Sequence, residues 1–274
     1  MTADSSPSPN DAPIDPASAS PAPAAAPATR KRRARRVLAW VLGALGALIL
    51  LLVIGFLVYA NVGVMAAEPD ALAEVQDNPD VTLTDSGSAW VLAPASGESE
   101  TGLVFIPGAK VDAVAYASTL VGAVEEGATV VITKPTLNLA FFDFRPLSTF
   151  TELAPEVDEW FVGGHSLGGV RACQLAEGTA GLVLFASYCA NDLSDSGLAA
   201  LSISATEDGL STTEKVDAAA GLLPADTIFV VIDGGNHAGF GAYGPQAGDG
   251  EATISAEEMR AQITDALAPF LLQQ

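Results

Sequence analysis

Residues Gly163-Gly164-His165-Ser166-Leu167-Gly168-Gly169 form a G-x-S-x-G placed between an apolar run and a helix-patterned run. A serine at the apex of so tight a strand-to-helix turn takes a sparsely allowed backbone conformation. Strand and helix then approach so closely that glycine alone fits two positions to either side. Glu159-Trp160-Phe161-Val162 supplies a short strand ahead of the turn, and Val170, Cys173, Leu175 and Ala176 recur at helical spacing through about residue 178. The turn lifts the Ser166 hydroxyl clear of the strand, the setting a serine nucleophile needs.

A second feature fixes where such a domain would stand. Val37 to Ala60 carries no charged residue. At about 1.5 Å per residue this stretch makes a helix of roughly 36 Å, longer than the ~30 Å hydrocarbon core of a bilayer. It is expected to be a single transmembrane helix, with the lipid bilayer as partner through residues 37–60. Six of the seven residues from Arg30 to Arg36 are basic, and the next basic residue is Lys110. This asymmetry puts the N-terminus in the cytoplasm and the rest outside it, at the cell membrane. A signal segment cleaved after Val64-Met65-Ala66 is the competing reading.

The 33 acids and 12 bases are unevenly divided: three acids and six bases precede the apolar stretch, leaving 30 acids against six bases beyond it, a formal charge of −24. A surface of that sign repels nucleic acid, so none is expected as partner, and it keeps the domain soluble beside a membrane. Residues 1–29 hold seven of the 17 prolines and lack apolar periodicity. They cannot bury enough surface to offset the entropy of ordering.

The expected organisation is a disordered cytoplasmic tail with the basic run over 1–36, the transmembrane helix over 37–60, a linker over 61–79 and one folded domain over 80–274. Within that domain Val81–Thr84 and Ala89–Ala93 read as a hairpin around Asp85-Ser86-Gly87. Strands over 102–106, 129–133, 158–162, 181–186, 201–205 and 227–232 then alternate with helices over 112–126, near 148–156, after the serine, over 212–220 and over 256–271. This alternation argues an α/β fold, a doubly wound, mostly parallel sheet with helices on both faces. Cys173 and Cys189 fall beyond the apolar stretch, on the helix after the serine and just past the next strand. They are placed either to pair or to stay as two buried thiols.

The elbow, the alternation and a downstream acid and histidine together resemble the α/β-hydrolase superfamily. The likeness is to its small lidless members near the dienelactone hydrolase and carboxylesterase branch, and it covers roughly residues 80–272. Larger relatives insert a cap after the strand that follows the elbow helix. Only about fourteen residues separate Ala186 from Leu201 here, so the resemblance implies a fold with no cap domain.

A serine hydroxyl needs a base, and the chain holds two histidines. His165, adjacent to the serine on the elbow, should point away from the hydroxyl, which leaves His237 in Gly234-Gly235-Asn236-His237-Ala238-Gly239-Phe240. Its loop follows the strand ending at Ile232, where the superfamily keeps its histidine. Asp208, after strand 201–205, matches the acid position of the family and gives the order serine, aspartate, histidine. Glu207, Asp192 and Asp233 remain as rivals. The motif assigns one oxyanion donor to the backbone N–H of Leu167. The second is expected from the turn Pro107-Gly108-Ala109-Lys110, where relatives often carry His-Gly; Pro107 has no N–H, which selects Ala109, with Lys110 next.

Lys110, Phe141, Phe142, Asn191 and Phe240 are candidates for the pocket around the serine. The cluster Phe141, Phe142 and Phe144 also fits ordinary core packing or contact with lipid. Asp249 and Glu251 in the glycine-rich run 241–251 are too few for a calcium cage, and no metal or cofactor is expected. The resemblance implies a serine hydrolase that cleaves small-molecule carboxylic esters or lactones through an acyl-serine, with Ser166, His237 and Asp208 as triad. A non-catalytic binding module on the same scaffold, or an acyltransferase acting on a cell-envelope alcohol, are the alternatives.

Overall fold

In the computed structural model residues 28–273 are described, so the expectation of disorder over residues 1–27 lies outside the described residues. The chain divides into two units, residues 1–53 and 54–274. In the first, the described residues form helix α1, Ala28–Asn61, whose last eight residues belong to the second unit. The segment Arg32–Asn61 is long and apolar enough to cross a membrane. The basic run Arg30–Arg36, assigned to the tail by sequence, is already helical here.

The second unit is built on one eight-stranded sheet in the order β1-β2-β4-β3-β5-β6-β7-β8. The strands are β1 Val81–Asp85, β2 Ala89–Pro94, β3 Thr101–Ile106, β4 Thr129–Thr133, β5 Glu159–His165, β6 Gly181–Phe185, β7 Ala199–Ala205 and β8 Ile228–Ile232. β1 and β2 pair antiparallel around the expected turn, with Asp85 opposite Trp90, and β2 runs antiparallel to β4. All remaining pairs are parallel. The interior strands β4 and β6 are buried at every position, as strands covered on both faces must be, whereas β8 at the edge exposes most of its residues.

Strand alternation sends successive side chains into different clusters. Leu103 and Phe105 join one core with Ile132, Phe161, Val183 and Ile203; Val162, Leu182, Leu184 and Ile106 join another. The first core is closed by α3, Ala117–Glu125, and α7, Ala256–Leu272, through Leu120, Val124, Met259, Ile263 and Leu267. The second is closed by α5, Leu167–Leu175, through Ala172 and Cys173. Ser255 caps α7 by accepting the N–H of Glu258 at 3.0 Å, a cap whose Ser-x-x-Glu spacing was present in the sequence.

Three elements differ from the sequence reading. The stretch 61–79, expected as linker, contains helix α2, Pro69–Gln76, which starts on a proline and buries Ala71 and Val75. The expected helix over 112–126 opens as a 3-10 turn, Ala113–Tyr116, before continuing as α3. The helix near 148–156 is a single turn, α4, Ser148–Thr151. Helix α6, Thr213–Ala219, lies where it was expected. Residues 186–198 join β6 to β7 without any helix, so no cap interrupts the sheet there.

Cys173 and Cys189 form a disulfide, with their Cα atoms 5.6 Å apart. Of the two arrangements open to them in sequence, the paired one is adopted, tying α5 to the loop after β6.

Candidate active site

Loops leaving the carboxyl ends of β3, β5, β7 and β8 carry Ala109, Ser166, Asp208 and His237, so a parallel sheet gathers at one edge residues that are far apart in the chain. At the elbow Ser166 has φ 51° and ψ −120°, a conformation side-chain-bearing residues rarely take. Its N–H donates to Phe185 O at 3.0 Å and its carbonyl accepts the hydroxyl of Ser187 at 2.7 Å, so the turn is held from β6. A methyl group on Gly164 would lie 2.5 Å from the Gly168 carbonyl carbon, and one on Gly168 would lie 2.0 Å from Ile106 O. Glycine at both positions is therefore a packing requirement, as the motif implied.

His237 and Asp208 meet. His237 Nδ1 lies 2.8 Å from Asp208 Oδ2, and both side chains are buried. The other carboxylate oxygen, Oδ1, accepts the N–H groups of Leu210 at 2.7 Å and Ser211 at 2.6 Å. With its carboxylate fixed by two backbone donors, Asp208 accepts the Nδ1–H, and the lone pair of His237 is left on Nε2. That nitrogen is buried and has no hydrogen-bond partner among the described residues, the Ser166 hydroxyl included. Of the rival acids, Asp192 instead accepts from Ser194, and Asp233 accepts from the Thr206 hydroxyl at 3.3 Å.

His165 is buried too, with its ring centre 4.4 Å from that of His237. Its Nδ1 lies 2.8 Å from Tyr116 Oη, which in turn accepts the N–H of Gly108 at 2.9 Å. The phenol therefore has its proton free for His165 Nδ1, which places the imidazole proton on Nε2. Burial, and then the neighbouring His237, push the His165 pKa well below the usual imidazole value. Burial likewise raises the pKa of Tyr116 and of Tyr243, keeping both phenols protonated. His165 thus packs against His237 as a neutral ring.

The turn after β3 sorts its own donors. Gly108 N–H goes to Tyr116, Lys110 N–H goes to Asn138 O at 2.8 Å, and Ala109 lines the cavity beside Ser166. That cavity, about 370 Å³, is walled by Ala109, Leu167, Val170, Tyr188, Leu210 and Ser211. A larger groove of about 500 Å³ lies behind the histidine loop against Asn236, Gly239 and Met259, but Ser166 does not border it.

The other pocket candidates sit elsewhere. Lys110 Nζ lies over the Tyr59 ring, Asn191 Nδ2 donates to Cys173 O, and Phe240 is fully buried and stacked on His165. Phe141 and Phe142 are exposed and lie on a 3-10 turn, Ala140–Phe142. None of these five borders the cavity at Ser166.

Sequence reasoning missed two residues that organise the site. Tyr116 was read only as part of a helix, and its bond to His165 joins segments 49 residues apart. Asp249 was weighed only as a metal ligand. Its Oδ1 accepts the N–H groups of Gly209, His237 and Gly250, and its Oδ2 accepts that of Ala238. Its place among glycines was the available signal, since such a loop can turn its backbone donors onto one carboxylate. Among the described residues no group of His, Cys, Asp and Glu is arranged to hold a metal ion.

The fold is similar to that of the esterase domain of a Rhodothermus marinus protein, with a TM-score of 0.51 and 13% identity over 69% of this chain and 96% of that one. An esterase of Thermogutta terrifontis is also similar, with a TM-score of 0.45 and 13% identity over 72% of this chain and 95% of that one. A comparison with curated protein sequences finds no match. A family model described as the alpha/beta hydrolase family matches residues 102–261, a stretch that takes in more than half of the chain and holds Ala109, Ser166, Asp208 and His237. The chain therefore belongs to the alpha/beta hydrolase family.

Proposed function

We propose that this chain is a membrane-anchored, extracytoplasmic serine hydrolase that cleaves carboxylic esters through an acyl-serine. The observation that carries the reading is the buried pair of His237 Nδ1 and Asp208 Oδ2, which leaves Nε2 without a partner among the described residues in a chain whose elbow serine is held at φ 51°.

In this reading Nε2 takes the Ser166 hydroxyl proton as Oγ attacks the ester carbonyl carbon. The carbonyl oxygen becomes an oxyanion and receives the N–H groups of Leu167, at the head of α5, and Ala109. Asp208 holds the imidazolium and prevents the ring from turning. The Nε2 proton then passes to the leaving alkoxide as the tetrahedral adduct collapses to the acyl-serine. Water, deprotonated by the same nitrogen, attacks the acyl carbon and releases the acid, returning the proton to Ser166. The small cavity walled by Val170, Leu210 and Tyr188 suits a modest acyl or alkyl group.

The anchor reading is supported by Arg32–Asn61, apolar throughout its centre, and by the basic residues at its start, which favour a cytoplasmic N-terminal end. Met65 supports an uncleaved chain. It forms a parallel bridge with Val111, its N–H donates to Lys110 O, and its carbonyl accepts from Asp112 N–H. Cleavage after Ala66 would strip this segment from the turn that carries Ala109.

The test is labelling of the full-length chain in detergent by a fluorophosphonate, with p-nitrophenyl esters assayed in parallel. Wild type should label and turn over, and Ser166→Ala should do neither. Labelling that persists in Ser166→Ala would overturn the assignment.

A further inference from the structure

Phe141, Phe142 and Phe144 are exposed at 46%, 41% and 83%, an apolar group the chemistry at Ser166 does not use. Their segment is held rather than loose. Leu137 and Asn138 both take positive φ, and buried Asp143 binds the Arg145 guanidinium and accepts the Arg145 N–H, while Arg145 also donates to Lys134 O. A loop fixed in this way presents its rings outward.

What lies beside those rings is the end of α1. The Phe142 ring centre is 5.1 Å from that of Phe56, and Asn138 Nδ2 donates to Ala60 O at 3.2 Å. Lys110, whose N–H is bonded to Asn138 O, places its ammonium over Tyr59. Phe56 precedes Asn61 by five residues, about 7.5 Å along a helix axis, so Phe142 stands level with the apolar part of the helix and not with its polar end. Charge agrees with this placement. In a domain of strongly negative charge the only acid between Gly127 and Thr151 is Asp143, which is buried and paired.

We propose that Phe141, Phe142 and Phe144 form a second membrane contact, seated in the bilayer interface beside the C-terminal end of α1. The inference rests on the anchor reading above. Phenylalanine is among the apolar side chains that interfacial segments bury at the headgroup boundary, and a segment whose one carboxylate is buried and paired adds no free negative charge against anionic lipid. The same segment packs on α5 through Ala140, so the contact sets the elbow helix close to the lipid surface.

The experiment uses the full-length chain in vesicles of phosphatidylcholine and phosphatidylglycerol, with the native disulfide intact and a thiol spin label at one introduced cysteine. The three variants are Phe144→Cys, Leu50→Cys within the apolar helix, and Glu177→Cys on an exposed turn. Collision with oxygen relative to a water-soluble nickel chelate reports depth. The label at 144 should show a ratio severalfold above that at 177, approaching that at 50. A label at 144 that ranks with 177 while that at 50 is lipid-exposed overturns the second contact and leaves the anchor standing. A label at 50 that is itself aqueous overturns the anchor and the contact together.

Discussion

The carboxylate of Asp249 receives the backbone N–H of His237 at 3.1 Å, and the same oxygen receives the N–H of Gly209, the residue after Asp208. One side chain thus fixes the loops of both members of the buried imidazole–carboxylate pair. Hydrogen bonds to a charged acceptor are worth about 1.5–3 kcal/mol each, more than neutral ones, and four donors converge here. Asp249→Asn keeps the shape but turns an amide N–H toward one set of donors. It should lower the unfolding free energy by about 2 kcal/mol and reduce kcat more than it raises KM, because the imidazole is displaced while the cavity walls are not. Wild-type kcat alongside wild-type denaturant unfolding would remove Asp249 from this role.

Asp208→Asn tests the pair itself. An amide at that position still accepts the N–H groups of Leu210 and Ser211 through one oxygen but presents NH₂ to His237 Nδ1, favouring the tautomer with the proton on Nε2. Esterase kcat should fall by about 10³–10⁴-fold with the fold intact by circular dichroism. A fall below tenfold would move the acid's role to another carboxylate.

His165 sets a pH dependence. Its folded pKa lies well below 6.5 because of burial and then His237, so in the unfolded chain it takes up a proton that the folded chain refuses. The stability this provides is complete above about pH 6.5 and is lost as pH falls toward the depressed folded pKa, with a limiting slope of about 1.4 kcal/mol per pH unit. His165→Gln, which keeps an acceptor for Tyr116 Oη, should show a shallower loss between about pH 7 and about pH 5 in urea titrations. Identical slopes for the two proteins would show that His165 does not carry the dependence.

Gly168→Ala would put a methyl group 2.0 Å from Ile106 O, a backbone atom that cannot swing away. Strand β3 or helix α5 must shift, at a cost of about 4 kcal/mol or more. Gly221→Ala, which meets nothing within 4 Å, should change stability by less than about 0.5 kcal/mol. Thermal unfolding of the two variants side by side reads the difference, and near-equal midpoints would mean that the elbow relaxes at little cost.

What the sequence made legible and what it hid divide along a physical line. The elbow glycines were readable because a steric requirement leaves a residue-type signature, and β3, β4 and β6 because strands buried on both faces are apolar through their centres. The pairing of His237 with Asp208 was reachable because only two histidines exist and Asp208 follows a strand at the place the resemblance indicated. The bond from Tyr116 to His165 was not readable, since nothing local distinguishes a buried tyrosine that bonds from one that only packs. Asp249 was hidden because its partners are backbone N–H groups, which have no residue identity. Helix α2 carried a signal that went unused: Pro69 at its first turn, with Ala71 and Val75 four apart on its buried side. The Phe141–Phe144 cluster left core, pocket and lipid open together because composition does not say which way a ring points.

The thirteen residues from Ala186 to Leu198 that join β6 to β7 hold no helix. This connection therefore offers no helical flap to fold over the cavity at Ser166. In the proposed hydrolysis, selection among esters would fall on the cavity walls at Val170, Tyr188 and Leu210 and be made by their shape.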